Sequence, residues 1–147
     1  MFGRSYKPVE TYRSEDADIL MLTMGSMGET ARLAIDELRE RGVKAGLLKL
    51  RLWRPFPFEE LKAAIGGAKK LIVTDRAISF GGPGGPVFSE VKSALYAQKQ
   101  RPIIYNYIFG LGGRDVQVKE FVAMFDKVIS DEDNRAADTY EFWGVRE

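Results

Sequence analysis

At 147 residues, with 45% hydrophobic and 29% charged side chains, the chain has the length and balance of one globular domain with a buried core. A net charge of +1 argues against a basic nucleic-acid surface, and no apolar run approaches the roughly 18 residues of a membrane span. With neither cysteine nor histidine, disulfides, iron–sulfur ligation, thiolate nucleophiles, Ser-His-Asp chemistry and the usual zinc sites are excluded.

Residues 1–17 are polar, without a sustained period, and are expected to be a linker or lead-in; residues 18–147 carry the domain. The N-terminus has no signal-peptide pattern, and the cytoplasm is the expected location. The run DILMLTM (Asp18 to Met24) predicts a strand buried on both faces, as in a parallel sheet. GSMGET turns into a helix, with Ser26 and Glu29 at capping-box spacing and Ala31, Ala34, Ile35 and Leu38 on its inner face. Gly42 is the expected stop.

The next strand, Val43 to Trp53, alternates Leu48, Leu50 and Leu52 with Lys49 and Arg51, which predicts a position near a sheet edge or beside another domain. Pro57 suits the start of a short helix carrying Phe58, Leu61 and Ile65. Leu71 to Asp75 is a third strand. Pro86 opens a helix with Val87, Phe88, Val91, Ala94 and Leu95 inward. A fourth strand, Pro102 to Gly110, places Tyr105, Tyr107 and Phe109 on one face, as core or as an interdomain surface. Asp115 is the expected N-cap of a last helix with Val118, Phe121, Val122, Phe125, Val128 and Ile129 as its stripe, and YEFWGV supplies a short edge strand. This alternation predicts an α/β three-layer sandwich with a mostly parallel sheet of about five strands.

In that architecture the loops Gly25–Gly28, Arg76–Gly85 and Gly110–Asp115 meet at the carboxyl ends of the strands. Their glycines, helix N-termini and the guanidinium groups of Arg76 and Arg114 suit a phosphate, pyrophosphate or carboxylate. The same glycines also suit tight turns, with each arginine paired to a neighbouring domain. GGPGGP is a poor phosphate cradle, because Pro83 and Pro86 lack N–H donors and no Gly-Lys-Ser/Thr follows. Asp75 admits three roles: a carboxylate for acid–base work, an ion-pair member, or a turn-fixing group. The cluster Met21, Met24 and Met27 reads as gap-filling core, and Trp53, Phe56 and Tyr107 as candidates for exposure where partner domains are missing.

DRAISFG (Asp75 to Gly81), GGPVFSEVKSALY (Gly84 to Tyr96) and NYIFGLGGRDV (Asn106 to Val116) together resemble the C-terminal domain of the α subunit of pyruvate:ferredoxin oxidoreductase and related 2-oxoacid:ferredoxin oxidoreductases. TMGSMGETARLAIDELRERGVKAGLLKLRLWRPFP and the final WGVRE fit the same domain, so the resemblance spans nearly the whole chain. It implies a fold like the transketolase C-terminal domain. It also implies membership of an enzyme that converts a 2-oxoacid and coenzyme A to acyl-CoA, CO2 and reduced ferredoxin. Thiamine diphosphate, magnesium, 4Fe–4S clusters and coenzyme A belong to that whole enzyme, and this domain is expected to hold no metal and no catalytic residue. Its expected partners are the remainder of the α subunit and the thiamine- and cluster-bearing portions, with ferredoxin for the complex and neither nucleic acid nor membrane. The candidates for an anion or coenzyme A contact are Arg76, Ser79, Gly81, Gly82 and Arg114. Two other readings stand beside it: the equivalent domain of transketolase or a 2-oxoacid dehydrogenase E1 β chain, and a free-standing anion-binding module.

Overall fold

The computed structural model describes residues 3, 6–134 and 139–145. Among them are six strands, β1 (Val9–Tyr12), β2 (Ile19–Met24), β3 (Ala45–Leu50), β4 (Lys70–Asp75), β5 (Ile103–Ile108) and β6 (Tyr140–Phe142). Four α-helices connect them: α1 (Met27–Glu40), α2 (Phe58–Ile65), α3 (Pro86–Leu95) and α4 (Val118–Ser130). The strands form one sheet in the order β1-β3-β2-β4-β5-β6, parallel throughout except for the antiparallel β1–β3 pair. The expected α/β sandwich is therefore present, with one strand more than anticipated.

The sheet is buried on both faces because its central strands are apolar at odd and even positions alike. Ile19, Met21, Leu47, Ile72 and the run Tyr105, Tyr107, Phe109 share a cluster with the inner residues of α1 and α4. Leu20, Leu22, Leu48, Leu50, Leu71 and Val73 face the opposite way, onto α2 and α3. Each such side chain contributes about 1.5–3 kcal/mol on burial. The three period-two aromatics are thus core, and Tyr107 lies edge-on to Trp143 with ring centroids 5.3 Å apart. Tyr107 is not an exposed interdomain residue, whereas Trp53 and Phe56 remain partly accessible.

Five local expectations change. Val9–Tyr12, within the segment read as a lead-in, is a strand whose Val9 is buried against the sheet. It covers β3, so Leu47 as well as Leu48 is buried, and the edge lies at β1 instead. The Ser26–Glu29 capping box does not form: Ser26 has helical torsions and no capping bond, while Glu29 accepts from Lys49 Nζ at 2.6 Å. The ion pair with Lys49 of the neighbouring strand, charged on both sides, takes the carboxylate in place of the local backbone N–H. At α4 the N-cap is Gln117 rather than Asp115, and its N–H donates to Glu120 Oε2 at 2.9 Å. Ile129, assigned to the inner stripe of α4, is 40% exposed, and Met124 is buried in that helix. The expected short edge strand near the C-terminus is β6; Arg146 and Glu147 of WGVRE lie outside the described residues.

The chain passes from β2 to β3 on one side and returns past β2 to β4 on the other. The carboxyl ends of β2 and β4 are consequently a topological switch point, where connections leave in opposite directions and a crevice opens. Among the described residues no helix is long and apolar enough to cross a membrane.

Candidate functional site

A crevice of about 180 Å³ lies at that switch point, walled by Met24 from β2, Thr74 and Asp75 from β4, Trp53, Arg76 and Phe109. A larger surface hollow of about 570 Å³ lies beside Lys92, Tyr96 and Arg101, away from the strand carboxyl ends. The crevice is the position at which an open α/β sheet ordinarily presents a site.

Its floor is set by Asp75, which is only 3% exposed. One carboxylate oxygen accepts from the N–H of Val87 at 2.8 Å; the other accepts from Phe88 N–H at 3.2 Å and Asn106 Nδ2 at 3.1 Å. Burial pushes the Asp75 carboxyl above its usual value, and the three donors oppose that shift. Asp75 therefore occupies the N-terminus of α3, where the unpaired amides and the helix dipole would otherwise attract an outside anion. Of the three roles read from sequence, the turn-fixing one is realised.

The glycine loop closes on the same group. Gly85 N–H donates to Asn106 Oδ1 at 2.9 Å, and a Cβ on Gly85 would stand 2.1 Å from Asp75 Cγ. A Cβ on Gly84 would meet Asn106 Oδ1 at 2.5 Å. Asn106 is 1% exposed, and its Nδ2 also donates to Val73 O at 3.1 Å. These glycines permit the loop to lie directly on a buried Asp–Asn pair. Farther out, Gly82 N–H donates to Ser79 O at 2.8 Å and Ser79 N–H to Gly84 O at 3.0 Å. Gly81, at φ +69°, is the third residue of that turn, where a type II turn needs a left-handed residue.

The site residues expected from sequence are thus only partly assembled. Arg76, Ser79, Gly81 and Gly82 lie on one loop, with the amides of Ser79 and Gly82 already bonded inside it. Arg76 Nη2 reaches the second loop by donating to Gly110 O at 3.2 Å. The Arg114 guanidinium is committed to Glu120, with Nη1 to Oε1 at 2.9 Å. On the other wall, Trp53 Nε1 and Arg54 Nη1 both donate to Glu90 Oε2, at 2.8 and 2.7 Å, and Arg54 lies 4.6 Å over the Trp53 ring. Arg54 first and Trp53 after it hold the Glu90 carboxyl below its ordinary value. Sequence reading missed Asn106 and Phe80. The signal for Asn106 was a lone amide inside an otherwise apolar strand, PIIYNYIFG. Among the described residues no group of three His, Cys, Asp or Glu side chains is arranged to hold a metal ion.

Residues 17–121 match the family described as pyruvate:ferredoxin oxidoreductase core domain II. Pyruvate synthase subunit PorA of Thermotoga maritima is 44% identical over 146 residues, covering 99% of this chain and 36% of that protein. The chain therefore spans about a third of that curated relative's length. Among solved structures, a 2-oxoglutarate:ferredoxin oxidoreductase from Magnetococcus marinus, with 2-oxoglutarate, coenzyme A and succinyl-CoA bound, superposes with a TM-score of 0.61 at 26% identity, over 85% of this chain and 20% of that one. A split-gene transketolase, solved as an inactive β4 tetramer, superposes with the same TM-score of 0.61 at 18% identity, over 87% of this chain and 44% of that one, which places the fold alone among transketolase-like domains. The match covers well over half of the sequence and includes every strand from β2 to β5: the chain belongs to the pyruvate:ferredoxin oxidoreductase core domain II family.

Proposed function

We propose that this chain acts as the core domain II portion of the α subunit of a thiamine diphosphate-dependent 2-oxoacid:ferredoxin oxidoreductase, working in assembly and in shaping the active site rather than in the chemistry itself. The observation that carries this reading is the near full-length similarity to a pyruvate synthase α-type subunit three times as long. The inward-closed loops support it, since Asp75 fills the α3 N-terminus and five amides from Ser79 to Phe88 already have protein acceptors. A chain without cysteine cannot ligate an iron–sulfur cluster through thiolates, and thiamine diphosphate with its magnesium is assigned with the clusters to other portions of the enzyme. Those groups belong, in this reading, to partner portions of a cytoplasmic complex that passes electrons to ferredoxin. The similar proteins named for pyruvate and for 2-oxoglutarate leave the substrate at the level of a 2-oxoacid.

The test is to assay the chain alone and in the reconstituted complex. The complex is expected to reduce ferredoxin with a 2-oxoacid and coenzyme A, and the isolated chain to do neither this nor bind thiamine diphosphate at millimolar ligand. Turnover by the chain alone, or an unchanged rate in a complex lacking it, would sink the proposal.

Within that assembly the proposed contact for a coenzyme A phosphate is the Arg76 loop, with Ser79, Gly81 and Gly82 beside it. Arg114 is the second cation of that surface, available when Glu120 is exchanged for the ligand. Arg76 carries the sharper expectation because its observed partner is a neutral carbonyl. Arg76→Ala in the assembled enzyme is expected to raise the coenzyme A KM about fivefold, the size of one exposed charge-assisted contact, and to leave the 2-oxoacid KM unchanged. A coenzyme A KM within twofold of wild type would remove Arg76 from that role.

A further inference from the structure

Phe80 is 98% exposed, although it belongs to a hydrogen-bonded turn of the glycine loop. It occupies the second position of the Ser79–Gly82 turn, which is pinned by the Gly82 to Ser79 and Ser79 to Gly84 hydrogen bonds. The turn is anchored in turn to Asn106 through Gly85. The ring therefore contributes little to the folding of this domain, yet its backbone is held in one place. Such an arrangement exposes a large apolar ring to water with no return inside the domain, while removing the ordering cost of a later contact.

Other apolar groups lie at the same end of the sheet. Met24 ends β2 and is 40% exposed; Leu52, just beyond β3, is 42% exposed, and Trp53 and Phe56 after it are partly accessible. Met24 and Trp53 line the crevice, and Leu52, Trp53 and Phe56 follow the carboxyl end of β3. In the Thermotoga maritima relative, the matching segment is 36% of a single polypeptide. A domain joined covalently to twice its own length of further chain packs against it through an interface of about 600–1,500 Å². A fixed, exposed aromatic ring on the loop that follows β4, at the sheet end that also carries partly exposed apolar side chains, has the makeup of an anchor in such an interface.

We propose that Phe80 is the anchor by which this domain docks on the remainder of the α subunit, its ring entering an apolar pocket of that partner and the Met24–Leu52–Trp53 surface closing around it. The proposal rests on the assignment to an oxidoreductase α subunit made above. The test mixes this chain with the remainder of the oxidoreductase, α-subunit remainder included, and measures their association by sedimentation. Phe80→Ala is expected to weaken association at least about tenfold, and Phe80→Leu by less than about threefold. The melting temperature of the isolated chain is expected to stay the same in both variants, because the ring has no neighbours to lose. If wild type fails to associate at all, the oxidoreductase assignment falls, and docking with it. If wild type associates and Phe80→Ala binds within twofold of it, the anchor is wrong while the assignment stands. Loss of self-association with no loss of binding to the remainder would make a second copy the occupant and overturn the proposal. A companion subunit that binds in place of the α-subunit remainder and responds to the same variant would overturn it too.

Discussion

Gly85→Ala is expected to destabilise the domain by about 3 kcal/mol, at the upper end of what overpacking a buried site ordinarily costs. The added methyl would lie 2.1 Å from both Cγ and Oδ2 of Asp75, and such contacts are relieved only if one partner moves. Asp75 has little freedom to do so, because Val87, Phe88 and Asn106 hold it through three hydrogen bonds. The loop cannot retreat without breaking the Gly85 to Asn106 bond. Gly81→Ala provides the contrast. Its added Cβ meets no atom within 4 Å, and only the left-handed φ of +69° is unfavourable, for about 1 kcal/mol. Urea denaturation of the two variants separates the causes. Equal losses would show that the loop does not rest tightly on Asp75.

That contact also marks the limit of what the residues disclosed when read in order. The buried strands were legible because Ile19 to Thr23 and Leu71 to Thr74 are apolar or small without interruption, a pattern that a two-sided sheet accommodates. Helix α3 was legible to the residue: Pro86 is at its first turn and all five predicted inner side chains are buried. By contrast, β1 is four residues long, alternates weakly, and is a strand only because β3 offers it an edge. The capping box at Ser26 failed for a related reason: Lys49, which takes Glu29, is twenty residues away in sequence. The purpose of the GGPGG loop was hidden in the same manner. Its glycines answer to Asn106, whose place beside them is fixed by the parallel pairing of β4 with β5. Local patterns report local rules, whereas a glycine required by a distant side chain carries no local mark.

Asp75→Ala should have the second large effect, about 3 kcal/mol, because it leaves two backbone N–H groups and the Asn106 amide without their acceptor in a buried place. Asp75→Asn is expected to recover little of this loss. One of its two positions must present an NH2 group: at Oδ2 it would face the Phe88 N–H and Asn106 Nδ2, and at Oδ1 the Val87 N–H. Donor would then oppose donor. The two variants also fix the sign of the pH dependence. Because burial raises the Asp75 pKa in the folded state, the folded form binds its proton more tightly than the unfolded one. Stability contributed by this group is greatest below its ordinary value of 3.8 and falls as pH rises toward the raised folded value, after which it is constant. The stability gap between wild type and Asp75→Asn should therefore narrow with rising pH across that window, and a gap that widens would reverse the assignment. Formate offers a further check on the site's character. In Asp75→Ala it can enter the vacated place, meet the same donors at the start of α3, and restore part of the lost stability; acetate, larger by a methyl group, should restore less. If neither anion helps, then the α3 N-terminus is a packing junction rather than an anion site held by the protein's own carboxylate.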